Sequence, residues 1–236
     1  MATEPDAPTP QSAWRGARIY SRPLLSFYDL VVLGVVTPKV WGVPIRRILD
    51  LYDRNVGARH LELGPGTGYL LRRGKPGSAQ TQLTLVDLNQ NVLTHAARRL
   101  AAWRPQTYRR DILRPFRLGT ARFDSIALNF VLHCLPGSMA DKAVVFDHAA
   151  AVAAPGARIF GTTILGDGAA HTFAGRRMLA AFNRTGMFHN TADTLQELDR
   201  QLASRFTSYN LDTYGTIAFF EVRCDESDPH PGGLLR

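Results

Sequence analysis

The chain has 236 residues, of which 45% are apolar and 20% are charged, and its formal net charge is +8. This length suits one α/β domain with a single buried core, and the composition is ordinary for a soluble globular protein. The two cysteines, Cys134 and Cys224, exclude a disulfide framework and a zinc-binding cysteine set, so we expect no metal.

The positive charge comes almost entirely from arginine, since lysine occurs only at Lys39, Lys75 and Lys142. The arginines are scattered through the predicted helices and form no dense run interleaved with aromatic residues. Charge of this kind is weak evidence for a nucleic-acid partner, which we therefore do not expect.

The two ends of the chain differ in composition from the middle. Residues 1–13 and 225–236 are rich in proline and polar residues, which predicts disordered tails. The N-terminus has no basic and apolar signal-peptide pattern, and the longest apolar stretch, 24–36, is too short to span a bilayer and contains Asp29. We expect a cytoplasmic monomer or homodimer without a membrane partner.

Between the tails, apolar strand-like runs alternate with amphipathic helical runs. We predict strands at 58–63, 82–87, 106–110, 123–132, 157–165, 207–212 and 216–223, and helices at 89–103, 138–153, 172–189 and 191–206. Ser138 and Asp141 have the spacing of a capping box at the start of one helix. The alternation predicts a Rossmann-like, doubly wound sheet of seven strands, mostly parallel with one antiparallel strand, and helices on both faces.

This organisation predicts one domain over 14–224. Within it, 14–56 is expected to form a helical N-terminal cap, and 166–206 a helical cover over the acceptor site. Ligands of such sheets bind beyond the carboxyl ends of the strands, close to the point where the strand order reverses.

A glycine-rich loop follows the first predicted strand. Three glycines at alternate positions let the backbone approach a ligand, and the helix that begins near Tyr69 directs its N–H groups at the same place. The third glycine comes one residue too early for the dinucleotide fingerprint, and Glu62 would repel a pyrophosphate but attract an ammonium or sulfonium group. A tight strand–helix turn is the alternative for the loop itself, which comprises Gly64, Pro65, Gly66, Thr67 and Gly68.

The segment "LELGPGTG" resembles the first motif of the class I methyltransferases that use S-adenosylmethionine, and further motifs of that family follow in order over 57–165. The resemblance implies that Asp87 in "LTLVDLN" holds the ribose hydroxyls and that Leu88 packs on the adenine. It also implies that Asp111 in "YRRDIL" accepts a hydrogen bond from the adenine amino group, with Ile112 beside it.

A fourth motif, "FDSIALNFVLHCLPG", implies that Asn129 and Phe130 face the methionine end of the cofactor. Simpler structural roles remain open for three polar residues. Asp87 could cap the next helix, Asp111 could pair with a neighbouring arginine, and Asn129 could satisfy the backbone at a strand end.

The resemblance implies methyl transfer from S-adenosylmethionine, which leaves S-adenosylhomocysteine as product. His133 is a candidate general base or cofactor contact, and His171 and His189 are further candidate bases. Cys134 lacks the proline-cysteine context of covalent cytosine or uracil methylation, which argues against a covalent mechanism.

Apolar residues in the two cover segments indicate the chemical type of the methyl acceptor. In the N-terminal cap, Tyr28 is expected to close over the cofactor and Trp41 to contact the acceptor, although both could be core residues. The second segment adds candidate acceptor contacts at Phe173, Met178, Phe182 and Met187. We expect a small apolar or aromatic acceptor from secondary metabolism or detoxification. The alternatives are an RNA methyltransferase recruited by the arginines and a non-catalytic regulator that only binds the cofactor.

Overall fold

The computed structural model describes residues 40–74, 81–119 and 122–225. The tail 1–13, most of the cap 14–56 with Tyr28, and the tail residues 226–236 lie outside the described residues. The described helices are α1 (Ile45–Asn55), α2 (Tyr69–Arg73), α3 (Gln90–Arg99), α4 (Met139–Lys142), α5 (Val144–Val152), α6 (Phe173–Thr185) and α7 (Leu195–Ala203). The strands are β1 (Arg59–Leu63), β2 (Gln82–Asp87), β3 (Gln106–Arg109), β4 (Phe123–Asn129), β5 (Ala153–Ile164), β6 (Ser208–Tyr214) and β7 (Ile217–Arg223).

The seven strands form one sheet in the order β3-β2-β1-β4-β5-β7-β6. The pairs among the first five strands in this order are parallel, and β7 runs antiparallel to both of its neighbours. This confirms the predicted doubly wound sheet with one antiparallel strand. The strand order reverses between β1 and β4, so the crevice beyond their carboxyl ends is the expected ligand site.

Each face of the sheet is covered by its own core, because alternate residues of a strand point to opposite faces. In β1, Leu61 and Leu63 belong to the core that also contains residues of α5 and α7. The other face packs against α1, α2 and α3, with Tyr52 and Phe160 among its buried aromatic residues. His60 and Glu62 alternate with the two leucines and contact Tyr52 on that second face.

The helix predicted at 89–103 ends earlier than expected. It stops at Arg99, and Ala101–Trp103 forms a short 3-10 helix. Arg104 has φ 48° and precedes Pro105, whose ring disfavours a helical conformation at the residue before it.

The helix predicted at 138–153 begins with the expected capping box at Ser138, but it is divided at Ala143 into α4 and α5. The strand predicted at 157–165 begins at Ala153, because Phe123 pairs with Ala153 before the register shifts on the way to Ser125. That shift accommodates Gly156, whose φ is 71°.

The two helices predicted within 166–206 are shorter than expected. Thr172 caps α6 by accepting from the Gly175 N–H, and Gly186 ends the helix with φ 73°. Thr194 caps α7 in the same way from the Glu197 N–H. None of the helices in the described ranges is both long and apolar enough to cross a bilayer.

Candidate active site

The glycine loop lies beyond the carboxyl end of β1, and its conformation depends on glycine. Gly64 has φ 69°, and a Cβ there would lie 2.7 Å from Val131 Cγ2. Gly66 has φ 53°, and a Cβ there would meet nothing within 4 Å. The first glycine therefore allows close packing against the residues after β4, whereas the second leaves open space in which a ligand can reach the backbone.

Asp87 ends β2, the neighbour of β1. Its Oδ1 accepts from the Asn89 N–H at 2.7 Å, while Asn89 itself caps α3 through its side chain. Burial raises the pKa of the Asp87 carboxyl from 3.8 to about 7, although the backbone N–H groups of Asn89 and Leu88 act in the opposite direction. A carboxylate has about four lone-pair sites, so Asp87 has acceptor positions beyond the one that Asn89 uses. These positions can accept from hydroxyl donors of a ligand.

Asp111 follows β3 and offers a second acceptor. Its Oδ1 accepts from the Leu113 N–H at 3.0 Å, whereas its Oδ2 is buried without a hydrogen bond in the described structure. Arg114 Nε lies 3.7 Å from Oδ2. The next residue, Ile112, is buried and apolar, as a contact to an aromatic ring requires.

Asn129 ends β4, on the other side of the switch point. Its Oδ1 accepts from Thr162 Oγ1 at 3.2 Å, while its Nδ2 is buried without a hydrogen-bond partner among the described residues. Phe130 has φ 58°, a left-handed conformation that a bulky residue adopts only when its surroundings impose it. The Phe130 N–H donates to the Thr162 carbonyl at 2.9 Å, which helps to impose that conformation.

Glu62 lies one residue before the end of β1 and is almost completely buried. Its Oε1 accepts from the Tyr52 hydroxyl at 2.7 Å, and its Oε2 lies 3.1 Å from His60 Nε2. Neither Tyr52 nor His60 is among the site residues that we predict from the sequence, because neither belongs to a motif.

His133 is held in a short 3-10 helix after β4. Its Nδ1 accepts from the Ile164 N–H at 3.2 Å, so the proton of the neutral ring lies on Nε2. Burial and the charge of Lys142 lower the pKa of His133 from 6.5 to about 3. The ring is therefore neutral at physiological pH and presents a donor rather than a basic nitrogen.

His171 precedes α6 and has the opposite arrangement. Its Nε2 lies 2.9 Å from the Leu165 carbonyl oxygen, which can only accept, so Nε2 carries the proton. The lone pair is left on Nδ1, which is buried without a hydrogen-bond partner in the described part of the chain. Both histidines thus contact consecutive residues at the end of β5, and of the two only His171 has a free basic nitrogen.

Aromatic residues surround the two histidines. The Phe188 ring lies 4.5 Å from that of His133 and 4.9 Å from that of Phe182. Trp41 is buried and meets the His171 ring edge-on at 6.0 Å. Phe188 is absent from our predicted site residues, although it lies in the same apolar segment as Phe182.

The remaining predicted residues differ in their exposure. Met178 and Met187 are half-buried and pack against the core on the α1 side of the sheet. Phe173 is 69% exposed, with the Arg177 guanidinium 5.7 Å from its ring centroid. Burial raises the pKa of the Cys134 thiol to about 12, which agrees with the sequence argument against a covalent cysteine. The described residues include no cluster of His, Cys, Asp or Glu that could hold a metal ion.

Comparisons with known proteins identify the family. Residues 61–159 match a family model described as a methyltransferase domain. The chain is 37% identical to demethylluteothin O-methyltransferase of Streptomyces thioluteus, over 86% of this chain and 88% of that protein. It is 32% identical to a physcion biosynthesis cluster O-methyltransferase of Aspergillus chevalieri, over 88% of this chain and 94% of that protein.

A solved structure, the complex of DhpI with S-adenosylhomocysteine, shares the fold. Its TM-score is 0.66 at 15% identity, and the match covers 92% of this chain and 99% of that one. Identity at this level shows the fold alone, whereas the two sequence relatives show common ancestry over nearly the whole chain. The chain belongs to the class I S-adenosylmethionine-dependent methyltransferases.

Proposed function

We propose that the protein transfers a methyl group from S-adenosylmethionine to a hydroxyl oxygen of a small, apolar or aromatic molecule in secondary metabolism. The observation that carries this proposal is the set of polar groups with unused hydrogen-bonding capacity at the carboxyl ends of the strands next to the glycine loop. Asp87 and Asn129 end β2 and β4, and Asp111 follows β3, so all three lie at the carboxyl ends of parallel strands along one edge of the sheet. Both relatives are named O-methyltransferases, which favours oxygen as the acceptor atom.

These groups fit the cofactor in chemical type. The Asp87 carboxylate can accept from two vicinal ribose hydroxyls, and Asp111 Oδ2 from the adenine amino group. Leu88 and Ile112 supply apolar contacts for the adenine ring. We assign the methionine end to Glu62, Asn129 and Phe130, with the backbone from Gly64 to Gly68 passing along the ligand. When bound, the cofactor supplies an electrophilic methyl group on a positively charged sulfur.

The two histidines take different roles at the acceptor. His171 Nδ1 has a free lone pair and can take the hydroxyl proton of the acceptor, which leaves the oxygen as the nucleophile. The Leu165 carbonyl fixes the ring and keeps the proton on the other nitrogen. His133 Nε2–H can donate a hydrogen bond but cannot serve as the base, because its Nδ1 is occupied and its pKa is about 3.

The segment 166–206 is proposed to cover the acceptor. Phe182, Phe188 and Met187 form an apolar wall next to His133, which suits an aromatic or aliphatic molecule. Trp41 contributes by packing against His171. Met178 and Phe173 lie on the same helix, where the exposed Phe173 can contact an acceptor that extends beyond the wall.

We also propose that the protein works in the cytoplasm as a monomer or homodimer without a nucleic-acid partner. Several arginines are engaged by carboxylates of the protein itself. Arg54 pairs with Glu221, Arg59 with Asp124, Arg200 with Glu197, and Arg205 with Asp147. Paired guanidinium groups contribute less to the attraction of phosphates than free ones would.

A transfer assay with labelled S-adenosylmethionine tests the proposal. We expect label in the oxygen of at least one compound from a panel of phenols and hydroxylated heteroaromatic compounds, because the wall is apolar and His171 can remove a hydroxyl proton. Thiols, amines and structured RNA in the same panel test the other acceptor classes. In this assay Asp87→Asn should lower the labelling, because it removes the carboxylate that we assign to the ribose. Asp124→Asn is the matched control, since Asp124 bonds Arg59 at the opposite end of the strands. Label in RNA alone, or binding of cofactor without label in any acceptor, would contradict the proposal.

A further inference from the structure

A continuous chain of buried hydrogen bonds lies behind Glu62. The Gly57 N–H donates to Ser125 Oγ at 2.8 Å, and His60 Nδ1 lies 2.8 Å from the same oxygen. His60 Nε2 lies 3.1 Å from Glu62 Oε2, and the Tyr52 hydroxyl donates to Glu62 Oε1 at 2.7 Å. The side chains of Ser125, His60 and Glu62 are almost fully buried, so these bonds are shielded from solvent.

One set of directions satisfies every bond in this chain together. A backbone N–H can only donate, so Ser125 Oγ accepts from Gly57 and its own hydroxyl proton can go to His60 Nδ1. The proton of the neutral imidazole then lies on Nε2 and is donated to Glu62. All of these groups are satisfied together when Glu62 is a carboxylate, which receives one bond on each oxygen.

Packing holds the two donors in place. The Tyr52 ring meets Phe160 edge-on with centroids 5.5 Å apart, and the His60 ring stacks on Phe160 with centroids 6.0 Å apart. Burial and the charge of Glu62 raise the pKa of Tyr52 well above 10, so its hydroxyl stays protonated and remains a donor.

The sheet register places this carboxylate in the site. Glu62 pairs with Leu85 of β2 and with Ala127 of β4. Asp87 and Asn129 each follow these partners by two residues, on the same face of the sheet. Glu62 is thus a charged group deep beneath the glycine loop, flanked by two of the groups that we assign to the cofactor.

We propose that Tyr52 and His60 are positioning residues, which orient the Glu62 carboxylate toward the ammonium group at the methionine end of the cofactor. The proposal rests on the function proposed above. Each carboxylate oxygen has more than one acceptor position, so each can bind a protein donor and still accept from an ammonium group. The orientation of this acid is therefore set by α1 and by the start of β1, outside the glycine-rich segment.

Titration calorimetry with S-adenosylhomocysteine tests the role of Tyr52. Tyr52→Phe keeps the ring against Phe160 and removes only the hydroxyl, and we expect the affinity to fall about threefold to tenfold. Tyr209→Phe is the matched control, because it removes a hydroxyl that donates to Asp199 at 2.7 Å far from the loop, and it should change the affinity less than about twofold. Thermal unfolding without ligand verifies that both variants fold.

Two further readouts separate positioning from a general structural effect. In Glu62→Gln, adding Tyr52→Phe should change the affinity less than about twofold, since Tyr52 acts through Glu62. Binding of 5′-methylthioadenosine, which lacks the amino-acid end, should be unaffected by Tyr52→Phe. The proposal would be overturned if Tyr52→Phe weakened binding as much in Glu62→Gln as it does in the wild type. It would also be overturned if Tyr52→Phe weakened the binding of S-adenosylhomocysteine and 5′-methylthioadenosine equally.

The second donor is tested by two substitutions of His60. His60→Gln retains an amide that can donate to Glu62 and should bind S-adenosylhomocysteine more tightly than His60→Leu, which cannot donate. Equal affinities of the two variants would refute the role of His60. If the wild-type protein did not bind S-adenosylhomocysteine, the proposed function would fail; wild-type binding with unchanged affinity in Tyr52→Phe would overturn only the present inference.

Discussion

Replacement of His171 by glutamine is expected to lower kcat about 10²- to 10⁴-fold, the usual contribution of a general base. Glutamine has an amide that can donate to the Leu165 carbonyl in place of His171 Nε2–H, but it has no basic nitrogen in place of Nδ1. The measurement is the initial rate of methyl transfer to an acceptor whose hydroxyl pKa is about 10, because such an acceptor is not ionised at neutral pH. The affinity for S-adenosylhomocysteine should stay within about twofold of the wild type.

The matched substitution at the other histidine gives the control. His133→Gln preserves a donor near the position of Nε2, and we expect a loss in kcat of less than about tenfold because the neutral ring takes no proton. If His133→Gln lost more turnover than His171→Gln, the assignment of the two roles would be reversed. Wild-type turnover in His171→Gln would show that the acceptor needs no base from this residue.

The affinity for S-adenosylhomocysteine is expected to fall about tenfold for each pH unit below 7, because only the ionised Asp87 can accept from both ribose hydroxyls. Burial raises the pKa of this carboxyl to about 7, so the free protein must lose a proton on binding below that pH. Asp87→Asn should bind more weakly at pH 8, by about 1–3 kcal/mol, and should lose the pH dependence. Calorimetry between about pH 5.5 and about pH 8, which brackets the shifted pKa, measures both effects.

The same substitution should not destabilise the free protein. A carboxyl whose pKa is raised in the folded state contributes stability that is fully present below its ordinary pKa of 3.8. This contribution is lost as the pH rises through the folded-state pKa of about 7. The asparagine introduced by Asp87→Asn carries no charge to bury, so the unfolding temperature of this variant at pH 8 should equal or exceed that of the wild type. A pH-independent affinity in the wild-type protein would contradict the role of Asp87 as the ribose ligand.

The fold could be predicted from local sequence because its signals are local. Apolar runs of strand length, the glycine after β1 and the capping box at Ser138 each depend on a few neighbouring residues. The start of β5 lies four residues before the predicted one, since Ala153 joins the sheet only through its pairing with Phe123. Pairing across the sheet leaves no periodic signal in the strand itself.

The positions of Asp87 and Asn129 at neighbouring strand ends could likewise be predicted, because both residues end apolar strands whose carboxyl ends meet in the sheet. The roles of the histidines could not. They depend on the Ile164 N–H and the Leu165 carbonyl, which reach the two rings only in the folded chain. Tyr52 acts on Glu62 from a helix that precedes the motif, and no spacing rule in the sequence indicates that contact.

The most direct measurement is titration calorimetry of the wild-type protein with S-adenosylhomocysteine and, in parallel, with NADH. Glu62 lies beneath the loop as a buried carboxylate, which favours an ammonium-bearing ligand and opposes a pyrophosphate. We predict binding of S-adenosylhomocysteine with a Kd on the order of micromolar and no binding of NADH. If the protein bound NADH but did not bind S-adenosylhomocysteine, this result would contradict the account of Glu62, of the glycine loop and of the methyl transfer built on them.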